Sequence, residues 1–93
     1  MNEHMDVVKG RLKVKIVGKG TRSKGPEYWI EPIDEYKHRW NEILVRKTVQ
    51  LWQDDPLLHP LVGKMVRIHG EVIETKSTIT IDPIEAKEIK KKY

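Results

Sequence analysis

Apolar and polar residues alternate from Val7 to Val17. Val8, Gly10, Leu12, Val14 and Ile16 share one face, and Val7, Lys9, Arg11, Lys13, Lys15 and Val17 share the other. A period of two held for about ten residues predicts a long strand, apolar on one side and cationic on the other. Gly10 interrupts the apolar face, where a missing side chain permits the bulge or sharp bend a curling sheet needs. Gly18 to Pro26 contains three glycines and a proline and reads as a loop. Tyr28 to Ile33 is aromatic and β-branched enough for a second strand, with Pro32 at an edge, a bulge or the strand end.

Asp34 to Asn41 is a polar turn region. Alternation resumes from Glu42 to Trp52, with Ile43, Val45, Val49 and Leu51 on one face and Leu44, Arg46, Thr48, Gln50 and Trp52 on the other. Leu44 and Lys47 each fall on the wrong side of that pattern. Asp54 or Asp55 before Pro56 has the form of an N-cap, and Leu57, Leu58, Leu61 and Val62 have helical spacing. Pro60 limits that helix to about one or two turns. Met65 to Ile73 gives a fourth strand with Val66, Ile68, Val72 and Ile73 as core candidates and Gly70 within it. Thr75-Lys76-Ser77 is a turn, Thr78 to Asp82 alternates strictly as the second arm of a hairpin, and Pro83 ends it. Glu85 to Tyr93 reads as a charged tail. No internal repeat is present.

The chain has 93 residues, enough for one domain over residues 1–93 with one small core and little room for a deep catalytic pocket. It has no cysteine, which excludes disulfide staples, thiolate metal sites and a thiol nucleophile. Charged residues make up 34% of the chain, and with Lys and Glu abundant and Phe absent the composition resembles that of thermophile proteins. Met1 to Asp6 gives neither a signal peptide nor a transit peptide, and no apolar run reaches membrane-spanning length, so a cytoplasmic protein is expected.

The placement of charge says more than its sum. Lys9, Arg11, Lys13, Lys15, Lys19, Arg22 and Lys24 form a window of seven cations without an acid, against a net charge of +4, so the rest of the chain carries a net −3. A field of one sign confined to one segment suits a phosphate backbone, although a solvated lysine-rich strand face would look the same. His4, His38, His59 and His69 lie on different elements without metal-site spacing. The adjacent acids Asp34-Glu35 and Asp54-Asp55 fit turns and caps, with no histidine or serine spaced for nucleophilic chemistry. Neither an enzyme, nor a metal, nor a cofactor is expected.

Three strands, a short helix and two more strands, the first strand bent at a glycine, form an order that resembles the OB-fold, a five-stranded barrel with its helix between strands three and four. Leu61 to Ile84 carries the closest likeness. Gly63-Lys64 entering a strand, Gly70 within it and the Glu74-Thr75-Lys76-Ser77 hairpin look like the last two strands of single-stranded nucleic-acid-binding OB domains of the replication protein A and tRNA anticodon-binding types. The resemblance implies a ligand lying across strands two and three, flanked by the loop between strands one and two and by the loop between strands four and five. It therefore implies phosphate contacts from Lys9, Arg11, Lys13, Lys15, Lys19, Arg22, Lys24, Arg46 and Lys76, and base stacking on Trp29, Tyr36, Trp40 and Trp52. In Tyr36-Lys37-His38-Arg39-Trp40 aromatics and cations interleave, which suits both contacts. The same aromatics could instead fill a core that lacks phenylalanine, or meet a protein partner in an assembly module; a carbohydrate or small-ligand site is a further alternative.

Overall fold

The computed structural model describes residues 2–18 and 25–90. Five strands account for most of them: β1 (Asn2–Val17), β2 (Gly25–Pro32), β3 (Ile43–Val45), β4 (Met65–Glu74) and β5 (Ile79–Glu88). They close on themselves in the order β1-β2-β3-β5-β4 and back to β1. Every pairing is antiparallel except that of β3 with β5.

Gly10 makes the closure possible. The first part of β1 pairs with β4 as far as Arg11, and the second part pairs with β2 from Gly10 onward, so one strand serves both sides of the closed sheet. A Cβ at Gly10 would overlap the carbonyl of Glu31 on β2, which is backbone and cannot swing aside. Alternation then sorts the side chains. Val8 and Leu12 of β1, Tyr28 and Ile30 of β2, Ile43 and Val45 of β3, and Val66, Ile68 and Val72 of β4 are all buried in one core. Lys9, Arg11, Lys13 and Lys15 consequently stand on the outer surface, as the sequence pattern predicts.

Four expectations are corrected. β1 begins at Asn2, not Val7, because residues 2–6 pair with Gly70–Glu74 although they add nothing to the core. β3 covers only Ile43–Val45 of the expected 42–52. Beyond it the buried Asp55 carboxylate takes both the backbone N–H and the hydroxyl of Thr48, which pulls the chain out of the sheet. The expected helix is only a 3-10 turn, His59–Leu61. Asp55 caps the preceding turn through the N–H groups of Leu57 and Leu58, and Pro60 has no N–H with which to continue it. Finally, β5 runs through Pro83 to Glu88, so residues 85–88 of the expected tail are strand. Pro83 lies opposite Gly70 where the register shifts at His69/Gly70, and a bulge is where a strand tolerates a missing donor.

Candidate functional site

The pairing register builds a row across the outer face of the sheet. Lys13 of β1 neighbours Trp29 of β2, Trp29 neighbours Leu44 of β3, and Leu44 neighbours Thr80 of β5. An apolar residue on an outward face, as Leu44 is, needs cover. Here Trp29 and Leu44 form the floor of an open groove of about 420 Å³, walled by Trp40, Asn41 and Glu42 from the segment before β3 and by Ser77 and Thr78 from the β4–β5 turn. The turn is stiffened within itself: Thr75 N–H donates to the Thr78 carbonyl at 2.8 Å, and the two threonine hydroxyls are 2.8 Å apart.

Both indoles are fixed through their N–H groups. Trp29 Nε1 donates to Glu27 Oε1 at 2.8 Å, two residues along the same strand. Trp40 Nε1 donates to Glu74 Oε2 on β4, and Arg39 grips the same carboxylate through Nε at 3.0 Å and Nη2 at 3.2 Å. The Arg39 guanidinium, with help from the Trp40 indole, holds the Glu74 carboxyl below its ordinary range. The Lys15 ammonium lies 4.6 Å from the Trp29 ring centroid, so a cation already rests on that ring.

Glu42 governs the charge at the groove. Its Oε2 pairs with Lys13 and its Oε1 lies 2.8 Å from the Lys15 ammonium, while Glu31 lies 3.7 Å from Lys13. Bonding to Lys13 and then to Lys15 holds the Glu42 carboxyl below its usual range, and the Glu42 bond raises Lys13 in turn. Two of the four outward cations of β1 therefore arrive with an anion attached. Arg11 donates to the Gly63 carbonyl at 2.7 Å, and the Lys9 ammonium has no ion-pair partner among the described residues. Lys76 is exposed on the β4–β5 turn. Lys19, Arg22 and Lys24 lie outside the described residues.

The remaining expected site residues are dispersed. Tyr36 is not a stacking platform. It is buried in the core cluster, its hydroxyl donating to Asp6 Oδ2 and lying 3.1 Å from His4 Nε2. Burial, reinforced by the Asp6 bond, pushes its phenol well above the ordinary value. Arg46 stands just beyond β3 with its guanidinium 3.6 Å from Asp82. Trp52 is 60% exposed and Leu51 65% exposed, on a turn that crosses over Gly25 and away from the groove. Of the expected aromatics, the groove gathers only Trp29 and Trp40.

Sequence reasoning passed over Glu42, Glu74, Leu44, Thr78 and Thr80. Leu44 carried a signal, since it broke the polar face of its strand. Thr80 did too, alternating against Ile79 and Ile81. The two glutamates carried none, because their partners are distant in sequence. Among the described residues no cluster of His, Cys, Asp or Glu could hold a metal ion, and no helix is long and apolar enough to cross a membrane. Comparison of the chain with protein-family models, with curated proteins and with solved structures finds no match.

Proposed function

We propose that this chain is an OB-fold barrel that binds single-stranded DNA or RNA in the cytoplasm, by recognition and without catalysis. Unpaired bases enter the groove and the outward cations hold the sugar-phosphate backbone beside it. One observation carries the reading: two indoles, Trp29 and Trp40, line a single open groove on the face made by β2, β3 and the β4–β5 turn. That is the face on which an OB-fold receives its ligand, and the strand order is the one that fold requires. A planar base has the ring face such a groove needs, whereas a base inside a duplex offers none. Lys9, Arg11 and Lys76 supply attraction outside the groove, while Lys13 and Lys15 stay paired with Glu42.

The test is a fluorescence titration in a Trp52→Phe background, which confines the signal to Trp29 and Trp40. A single-stranded oligonucleotide should quench it and compete better than matched duplex at equal phosphate concentration. Trp40→Ala should weaken binding by roughly 1 to 3 kcal/mol with little change in salt dependence. Absence of quenching at low salt would reject the reading. A second reading, a protein-assembly module, draws on the exposed Leu51 and Trp52 beside the exposed Val17. Loss of a protein complex on Trp52→Ala, with no oligonucleotide binding, would favour it.

A further inference from the structure

The groove is apolar on its floor but carries one acid, Glu42, at its wall. A carboxylate there repels phosphate, so its natural counterpart in a nucleic acid is a base edge that donates hydrogen bonds. The question is which edge. An ionised carboxylate has about four lone-pair sites, two on each oxygen. Lys13 occupies one site on Oε2 and Lys15, at 2.8 Å, one on Oε1. Among the described residues no other donor is bonded to Glu42, so by this count one acceptor site remains on each oxygen, with the Lys15 ammonium beside Oε1. Lys15 does not itself line the groove, but its ammonium lies 4.6 Å from the ring centroid of Trp29 and 2.8 Å from Glu42, both of which do, so the donor stands at the edge of the same recess as the acceptors.

Resting on the single-strand reading above, we propose that this recess selects guanine, with Glu42 accepting from the N1–H and the N2 amino group while Lys15 donates to O6. The order donor, acceptor, acceptor on the protein matches the order acceptor, donor, donor on the Watson–Crick edge of guanine and of no other common base. Thymine and uracil have one N–H between two carbonyls, so the second carbonyl would face a carboxylate oxygen. Cytosine presents its amino group where Lys15 donates and two acceptors where Glu42 accepts. Adenine offers an amino group beside a bare ring nitrogen. Two parallel bonds to one carboxylate are the strongest form of such a contact, and a matched bidentate pair discriminates against the wrong base by about 5- to 150-fold. Bonding to both lysines keeps Glu42 ionised, which the scheme needs.

The experiment uses the full chain and DNA oligothymidylates of about ten nucleotides, unsubstituted or carrying one central deoxyguanosine, deoxyinosine or deoxycytidine; a single guanine avoids quadruplex formation. Deoxyguanosine should bind about tenfold more tightly than the unsubstituted strand. Deoxyinosine, which lacks only the N2 amino group, should fall between them. Glu42→Gln should bring deoxyguanosine down to the thymine level, with an unchanged melting curve as evidence of folding. The base series on the unaltered protein needs no variant, so a folding defect cannot hide the answer. Equal affinity for guanine, inosine and thymine would overturn the proposal while leaving single-strand binding intact. A guanine preference that survives Glu42→Gln would overturn it as well. Failure of every strand to bind would remove the underlying reading, and this one with it.

Discussion

Asp55 is the one fully buried charged residue among those described, and its removal should be costly. Its Oδ2 accepts from the Thr48 N–H at 2.7 Å and the Thr48 hydroxyl at 2.9 Å; its Oδ1 accepts from Leu57 N–H at 2.8 Å and Leu58 N–H at 3.3 Å. Its own N–H donates to the Tyr28 hydroxyl at 3.0 Å, tying the cap to the core. Asp55→Asn keeps the shape. Its carbonyl can still cap Leu57 and Leu58, but its amide then points donors at the Thr48 N–H and leaves that group unsatisfied. Losing charge-assisted bonds and stranding one part-buried donor should together cost about 3 kcal/mol. For a domain of this size that lowers Tm by roughly 12 to 24 °C. Burial pushes the Asp55 carboxyl up, but the bonds from Thr48, Leu57 and Leu58 outweigh it and leave the folded value below the ordinary 3.8. The carboxylate's contribution is therefore complete above that pH and lost as pH falls through the lower folded value, so wild type and variant should converge in acid. Urea unfolding followed by circular dichroism from neutral pH downward measures both effects. A loss below about 0.5 kcal/mol at neutral pH, the range of ordinary surface changes, would refute the role assigned to Asp55.

Three further outcomes are expected. Gly10→Ala should cost about 3 kcal/mol or prevent folding, because the new methyl meets the backbone of β2; a urea midpoint equal to wild type would show that the bend can open. Tyr36→Phe should cost about 1 kcal/mol through the bonds to Asp6 and His4 and leave oligonucleotide affinity unchanged, whereas a loss of affinity would restore Tyr36 to the binding surface. Lys9→Ala and Arg11→Ala should each lower the slope of log affinity against log salt by about 0.7, and Lys13→Ala by less, since Lys13 is already neutralised.

What the sequence revealed follows from what each signal requires. Strict alternation identified β1 from Val7 to Val17 because Val8 and Leu12 enter the core and Val14 packs against it while Lys9, Arg11 and Lys15 face water; Ile16 keeps the pattern although it is exposed. Residues 2–6 gave no such signal, since they pair with β4 without entering the core. Alternation over Val49 and Leu51 misled because periodicity ignores competition for the backbone, and Asp55 wins Thr48. Pro83 looked like a terminator because the bulge that excuses it is a property of the pair with β4, not of β5 alone. Trp29 and Trp40 were legible as candidates by residue type and neighbourhood. That they share a groove while Tyr36 and Trp52 do not depends on closure of the sheet.

Charge suffers most from this limit. A window of cations can be counted along a chain, and its outward direction follows from parity, but the partner across a closed sheet cannot be read from either. Lys15 meets Glu42 and Trp40 meets Glu74 across 27 and 34 residues. Once Glu42 is attached to Lys13 and Lys15, the cationic stripe no longer runs unbroken beside the groove. It splits into Lys9 and Arg11, open to solvent, and Lys13 and Lys15, whose two charges are offset by Glu42 and, at Lys13, by Glu31. A uniform stripe would attract duplex and single strand alike, since phosphate is common to both. On the single-strand reading proposed above, a stripe interrupted by an acid at the mouth of an apolar groove would separate the two roles, with phosphate held outside and base edges favoured within. Discrimination between strands then has to come from the groove, and attraction alone cannot supply it.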